Sequence, residues 1–275
     1  MPAKAALDKI FAANRAAGHV ALDVAAAGGV TRRKRVAEDG PLRVRFPGAV
    51  SNALEAVIVN MAGGIAGGDS HSFKIAVGEG ARLAVTTAAA EKVYRSLGPD
   101  ADIDVRIAVA PGARLSWLPQ EAILFDRSRL SRRIEVDLAD GASLLMAEAV
   151  VFGRSAMGEA VSEGSFRDCW RVRCGGRLMF AETLRLDGPV ARTLAEPAVL
   201  QGGAAVATVL AIPGDEALIE QVRALADGFS GEVGISAWNG LAVARLCAKD
   251  GAALRRDLAA VLGALGGELP RLWLN

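Results

Sequence analysis

A short pattern repeats through the middle of this chain and limits what it can fold into. Ile75-Ala76-Val77-Gly78-Glu79-Gly80-Ala81-Arg82-Leu83 recurs as Ile107-Ala108-Val109-Ala110-Pro111-Gly112-Ala113-Arg114-Leu115. It recurs again as Val136-Asp137-Leu138-Ala139-Asp140-Gly141-Ala142-Ser143-Leu144, and in degenerate form as Val172-Arg173-Cys174-Gly175-Gly176-Arg177-Leu178. Each copy reads as strand, glycine turn, strand. A period of about thirty residues marks a solenoid-like stack, in which one repeat buries a face of the next. Each copy leads into a second, more variable strand, such as Trp117 to Phe125 or Ala147 to Phe152. The expected class is therefore mainly β, a stack of strand pairs in two layered sheets whose edges need covering.

The flanks add to this frame. Ala3 to Ala17 has a modest helical period, and Val20 to Val24 starts the strands. Thr31-Arg32-Arg33-Lys34-Arg35 reads as a basic loop between strands, either solvated or a patch for an anionic partner. Gly40-Pro41 signals a turn, and Leu42 to Phe46 alternates as a strand with its arginines outward. Gly202 to Ile212 reads as a buried strand that Pro213-Gly214 breaks. Two helices are expected near the C-terminus. One spans Glu216 to Ala226, with Asp215 as N-cap and Gly228 as stop, and the other spans Ala252 to Leu265. Between them, Asn239-Gly240 signals a hairpin. No stretch has the composition of an interdomain linker, so residues 1–275 are expected to form one domain.

Composition excludes several function classes. The net charge of +1 gives no bulk electrostatic case for nucleic acid. Hydrophobic residues make up 52% and aromatics 5%, so the core rests on Ala, Val, Leu and Ile, and some apolar surface is expected at partner interfaces. The three cysteines suit a reducing compartment and are expected to be buried and inert. No apolar run reaches a membrane span, and no secretory leader is evident, so a cytoplasmic chain without membrane or nucleic-acid partners is expected. Two histidines, His19 and His71, leave little for a hydrolase triad or a closed zinc site.

The stretch from Asn60 to Arg95 holds the densest motif. Ala56-Val57-Ile58-Val59 reads as a buried strand, and Gly63-Gly64 and Gly67-Gly68 then allow sharp bends and positive φ before Asp69. A phosphate loop needs a lysine where Asp69 stands, and a dinucleotide loop must open a helix. Ser72 to Val77 alternates like a strand instead. A nucleotide-binding transferase using Gly63 to Asp69 is thus the weaker alternative.

The segment Asn60-Met61-Ala62-Gly63-Gly64-Ile65-Ala66-Gly67-Gly68-Asp69 resembles the signature of the urease accessory protein family UreD, also called UreH. Thr86-Thr87 through Glu91-Lys92-Val93-Tyr94-Arg95 resembles its next block. Leu118 to Phe125, Phe152 to Glu159 and Leu269 to Trp273 match further blocks in order, from about Gly18 onward. Ala88 and Ala122 depart from the glutamine and threonine usual there. On this resemblance Gly63, Gly64, Gly67, Gly68, Thr86, Thr87, Lys92 and Tyr94 form a structural motif. The resemblance implies a non-enzymatic maturation factor that docks on the urease apoprotein. It would join UreF and, through it, the GTPase UreG, in a dimer of heteromers, and support nickel insertion.

The residues themselves offer few nickel contacts. On an extended segment Asp69 and His71 share a face, which suits either a surface pair or a weak nickel contact. Glu121, Glu148 and Glu159 lie beside apolar strand residues, where an unpaired carboxylate is costly. Each must meet a cation, line water or face outward, and Arg154 is near Glu159 in sequence. Asp69, His71 and Glu148 are therefore the candidate transient nickel contacts, with no tightly bound cofactor expected.

Overall fold

The computed structural model describes residues 15–47, 53–154, 157–266 and 269–273. It opens with a hairpin, β1 (Ala17–Ala27) and β2 (Val30–Asp39), and continues through β3 (Leu42–Arg45) and β4 (Leu54–Asn60). Coils follow: β5 (Ser70–Val77) and β6 (Arg82–Thr87) with the short β7 (Glu91–Val93), then β8 (Ala101–Val109) and β9 (Arg114–Trp117) with the short β10 (Ala122–Leu124), then β11 (Arg129–Leu138) and β12 (Ser143–Phe152). After β13 (Gly164–Cys174) and β14 (Arg177–Gly188) come α1 (Val190–Ala195), β15 (Ala205–Ile212) and α2 (Glu216–Arg223). The chain continues through β16 (Glu232–Trp238), β17 (Leu241–Ala248) and α3 (Gly251–Ala264).

Two sheets face each other. Sheet A runs β14-β13-β11-β8-β5-β1-β2 and sheet B runs β16-β17-β15-β12-β9-β6-β4-β3. The sequence repeat is the register itself. Ile75 lies beside Ile107, Ile107 beside Val136, and Val136 beside Val172 in parallel pairing. In sheet B, Leu83, Leu115 and Leu144 line up in the same way. All three leucines are buried in the inter-sheet core, each contributing roughly 1.5–3 kcal/mol. Gly80, Gly112 and Gly141 take φ of +65°, +65° and +76°, so each copy turns the chain from sheet A to sheet B at the same place.

The fourth copy departs from the expected stack. Gly175 and Gly176 both take positive φ and make a two-residue hairpin turn, so β13 and β14 pair antiparallel within sheet A. Trp117 to Phe125 is not one strand either: residues 118–121 leave the sheet and split β9 from β10. Thr31 to Arg35 lies inside β2 rather than in a loop. It forms an edge strand with a register shift at Asp23/Val24 opposite it, and Arg33 stacks on the Phe46 ring at 4.6 Å. A bulge and cations on a free edge hinder pairing with other chains.

The C-terminal expectations hold in outline. The Asp215 and Asp250 side chains accept from the Leu218 and Ala253 amides at 3.0 and 2.7 Å and cap α2 and α3. Asn239 and Gly240 take φ of +50° and +80° between β16 and β17. α3 packs Leu254, Leu258 and Val261 on the outer face of sheet B. The short α1 is an additional helix. The helical period from Ala3 lies outside the described residues up to position 14, and Ala17 already belongs to β1. The three cysteines are free and half-buried, not fully buried. Among the described residues no helix is long and apolar enough to cross a membrane.

Candidate functional site

The glycine segment after β4 and the segment from Thr86 to Tyr94 close on each other. The Ile65 amide donates to the Lys92 carbonyl at 2.7 Å, and the Tyr94 amide returns to the Ile65 carbonyl at 2.8 Å. The Tyr94 hydroxyl donates to the Gly63 carbonyl at 2.8 Å. A Cβ on Gly64 would stand 2.3 Å from the Tyr94 ring, and one on Gly67 would stand 2.0 Å from the Ser96 hydroxyl. Gly63, Gly64 and Gly68 take positive φ, whereas Gly67 is required by space alone. Lys92 serves through its backbone, and its side chain is exposed.

Asp69 is a buried cap. Its two oxygens accept from the Ala16 and Ala66 amides at 2.9 and 2.8 Å, leaving no place for a phosphate. A strand, β5, follows it, not a helix. Asp69 and His71 do share a face, as extended geometry requires, but both are buried, so they are not a surface pair.

The other motif blocks gather at the same end of the coils. The Tyr94 and Phe125 rings meet edge-to-face at 5.2 Å, and the Arg154 guanidinium lies 4.1 Å from the Phe125 centroid. Arg154 also pairs with Glu159 at 2.5 Å, as their spacing suggested. At the C-terminus, the Trp273 indole donates to the Leu118 carbonyl at 2.9 Å.

Beneath this cluster a cavity of about 60 Å³ lies between the sheets, enough for a few waters. It follows from the split in sheet B, where residues 118–121 leave β9. His71, Glu91, Gln120, Arg132 and Glu148 line it among apolar residues. The His71 Nε2 and Gln120 Nε2 atoms are buried without a hydrogen-bond partner. Thr86 Oγ1 and Glu55 Oε1 are likewise buried and unpaired, an expensive state for polar atoms. Thr87 accepts the Gln120 amide at 2.9 Å through its hydroxyl, which fixes the displaced loop.

Glu148 is held inside the molecule. The Trp117 indole donates to its Oε1 at 2.8 Å, and the Arg132 guanidinium donates to Oε2. Arg132 also grips Asp168 with two bonds at 3.0 and 2.6 Å. One guanidinium thus serves two carboxylates and links β11, β12 and β13 across both sheets. Burial pushes Glu148 up to about 7; Arg132 draws it down and Asp168 raises it further. Burial also pushes Glu91 up to about 7, against the Asn60 amide and Lys92. Burial holds the His71 imidazole below its ordinary range although Asp69 pulls the other way. A neutral imidazole with a free nitrogen can donate to a divalent cation.

His71 and Glu148 therefore meet on one cavity, and Asp69 stands beside it as a cap. Glu121 pairs with Arg255 at 3.6 Å and does not line that cavity. Among the described residues no three His, Cys, Asp or Glu side chains converge closely enough to hold a metal ion. Sequence reasoning missed Arg132, Asp168, Glu91 and Gln120. The first two carry a readable signal: Leu130-x-Arg132-x-Ile134 and Phe166-x-Asp168-x-Trp170 put both in phase with core residues.

Comparison with known proteins agrees with the resemblance. A family model described as "UreD urease accessory protein" matches residues 16–274. The chain belongs to the UreD family. A urease accessory protein UreD of Rhodopseudomonas palustris strain BisA53 is 60% identical over 97% of this chain and 93% of its own length. Another from strain HaA2 is 59% identical over 98% of both chains. Urease accessory protein UreD 3 of Bradyrhizobium sp. strain BTAi1 is 56% identical over 100% of this chain and 99% of its own. This UreD chain is accordingly a urease accessory protein, with a role in urease maturation.

Proposed function

We propose that this UreD chain is a cytoplasmic, non-catalytic scaffold that supports nickel insertion into the urease active site. It joins UreF, meets UreG through UreF, and docks on the urease apoprotein, as a dimer of heteromers. The observation that carries the nickel role is the inter-sheet cavity, where the unpaired His71 Nε2 and the carboxylate of Glu148 face the same space. Nitrogen and oxygen donors suit divalent nickel, and two contacts hold it weakly enough to release it. Nickel is cargo here. Burial raises both Glu91 and Glu148 to about 7, so an arriving cation would favour their charged forms.

A transferase using Gly63 to Asp69 finds less support. Asp69 fills its own bend and would repel phosphate. The test is nickel per urease active site after co-expression with His71→Ala, beside circular dichroism and co-purification of the variant. Reduced nickel in a folded, assembled complex is expected. Full nickel loading with that variant would remove His71 from the path.

A further inference from the structure

The outward face of β13 carries an arginine ladder that the maturation reading does not use. Arg167, Cys169, Arg171 and Arg173 alternate with the buried Phe166, Asp168, Trp170 and Val172. Successive outward residues lie roughly 7 Å apart along the strand. On the neighbouring strands Arg133 stands beside Cys169, and Arg185 stands directly opposite Arg167. Like charges directly opposite in an antiparallel pair are destabilising, yet this pair is present.

Arg133, Arg167, Arg171, Arg173 and Arg185 outnumber Glu135, Asp137 and Asp187 on the outward face of β11, β13 and β14. Arg185 has Asp187 at 3.5 Å, and Arg171 donates to the Trp170 and Glu182 carbonyls. Arg133, Arg167 and Arg173 make no ion pair among the described residues. Asp104 stands beside Arg133 on β8, and Glu135 and Asp137 stand beside Arg171 and Arg173 on β11. The thiol reports the local field. Partial burial works to raise Cys169, but the Thr183 hydroxyl and then Arg167 and Arg171 outweigh it and hold the thiol below its ordinary range. The chain as a whole carries only +1, so the excess of arginines on these three strands is local.

Two ways of pairing this face with a second copy bring like charges together. A twofold axis along β11 would set Arg133 on its own copy and Arg171 on Arg106. A twofold axis across the strands at Cys169 would set Arg167 on Arg171. We propose that the outer face of β11, β13 and β14 docks an acidic segment of a partner protein, with Arg133, Arg167, Arg171 and Arg185 on its carboxylates and Cys169 beneath it. Planar guanidinium groups on a rigid sheet suit bidentate contacts to carboxylates. The face lies on the opposite side of sheet A from the cavity, so its test is separate from that of the nickel role.

The test uses the full chain with Cys174→Ser and Cys247→Ser, so that Cys169 is the only thiol. A fluorescent poly-glutamate peptide is titrated by anisotropy at two salt concentrations, and alkylation of Cys169 by iodoacetamide is timed with and without it. Binding that weakens with salt and slows alkylation is expected. Arg167→Ser with Arg185→Ser should weaken binding by about tenfold and abolish the protection. Arg32→Ser with Arg35→Ser, on the basic edge strand, should change neither. No peptide binding, unchanged binding by the Arg167/Arg185 variant, or unprotected Cys169 would overturn the proposal. So would tighter binding of duplex DNA or phosphatidylserine vesicles at the same arginines.

Discussion

Replacing Arg132 by methionine probes the link between the two sheets. The substitution keeps an unbranched apolar stem and removes a cation whose exposure is 5%. Asp168 then loses both of its hydrogen bonds, and Glu148 keeps only the Trp117 indole. Two buried carboxylates remain facing each other from β12 and β13, in opposite sheets, with no positive charge between them. Breaking such a pair costs about 3–5 kcal/mol, against a total stability of roughly 5–15 kcal/mol. Taking up a proton limits the loss. For a carboxyl of ordinary acidity this costs about 5 kcal/mol at pH 7.5 but only about 2 kcal/mol at pH 5.5. The deficit should therefore shrink by a few kcal/mol on acidification. Urea unfolding of the full chain, followed by tryptophan fluorescence at both pH values, reads this directly. The triple change Arg132→Met, Glu148→Leu, Asp168→Leu should recover most of the loss, because apolar replacements of a buried ionic cluster are commonly neutral or stabilising. A single-variant loss below about 1 kcal/mol, or one that does not vary with pH, would refute the reasoning.

Three further outcomes follow from the site. Gly68→Val should disrupt folding, because φ there is +91° and β-branched residues do not tolerate the left-handed region. Asp69→Ala should lose two amide caps, about 1–2 kcal/mol each, yet stay folded by circular dichroism, and loss of fold would make the whole bend depend on it. Glu91 and Glu148 set a pH dependence. Their folded values near 7 lie above the usual 4.5, so the stability they contribute is complete below about 4.5 and is lost as pH rises through about 7. One such group accounts for about 3 kcal/mol, and the urea midpoint of Glu91→Gln should fall less steeply over that window. A midpoint that rises between those values in the unmodified chain would show the opposite sign.

The fold was legible where the chain repeats itself. Stacking Ile75, Ile107, Val136 and Val172 requires only that equivalent residues occupy equivalent places, and periodicity carries that information. It failed where a turn changed length. Gly175-Gly176 looks like a shortened copy of Gly78 to Ala81, yet two residues suffice for a hairpin and four carry the chain to the other sheet. The basic run from Thr31 to Arg35 misled for another reason: cations are common in loops, and they are also how an exposed edge strand is kept single.

The site was harder to see, because its defining feature belongs to no single segment. Asp69 and His71 were found together since two residues on one strand share a face by geometry alone. That Asp69 caps and His71 faces a cavity depends on Ala16, Ala66 and the departure of residues 118–121 from sheet B. Glu148 stood out as a carboxylate among apolar neighbours, which required a cation without naming it. Arg132 lies sixteen positions away in sequence. Once β11 and β12 are known to be successive strands of one coil, it is the inward-phase cation that can reach across. The register converts that requirement into a residue, and the same register leaves Asp168 as a second carboxylate for one guanidinium. With more buried carboxylates than cations, the charge state of this cluster is sensitive to pH near neutrality.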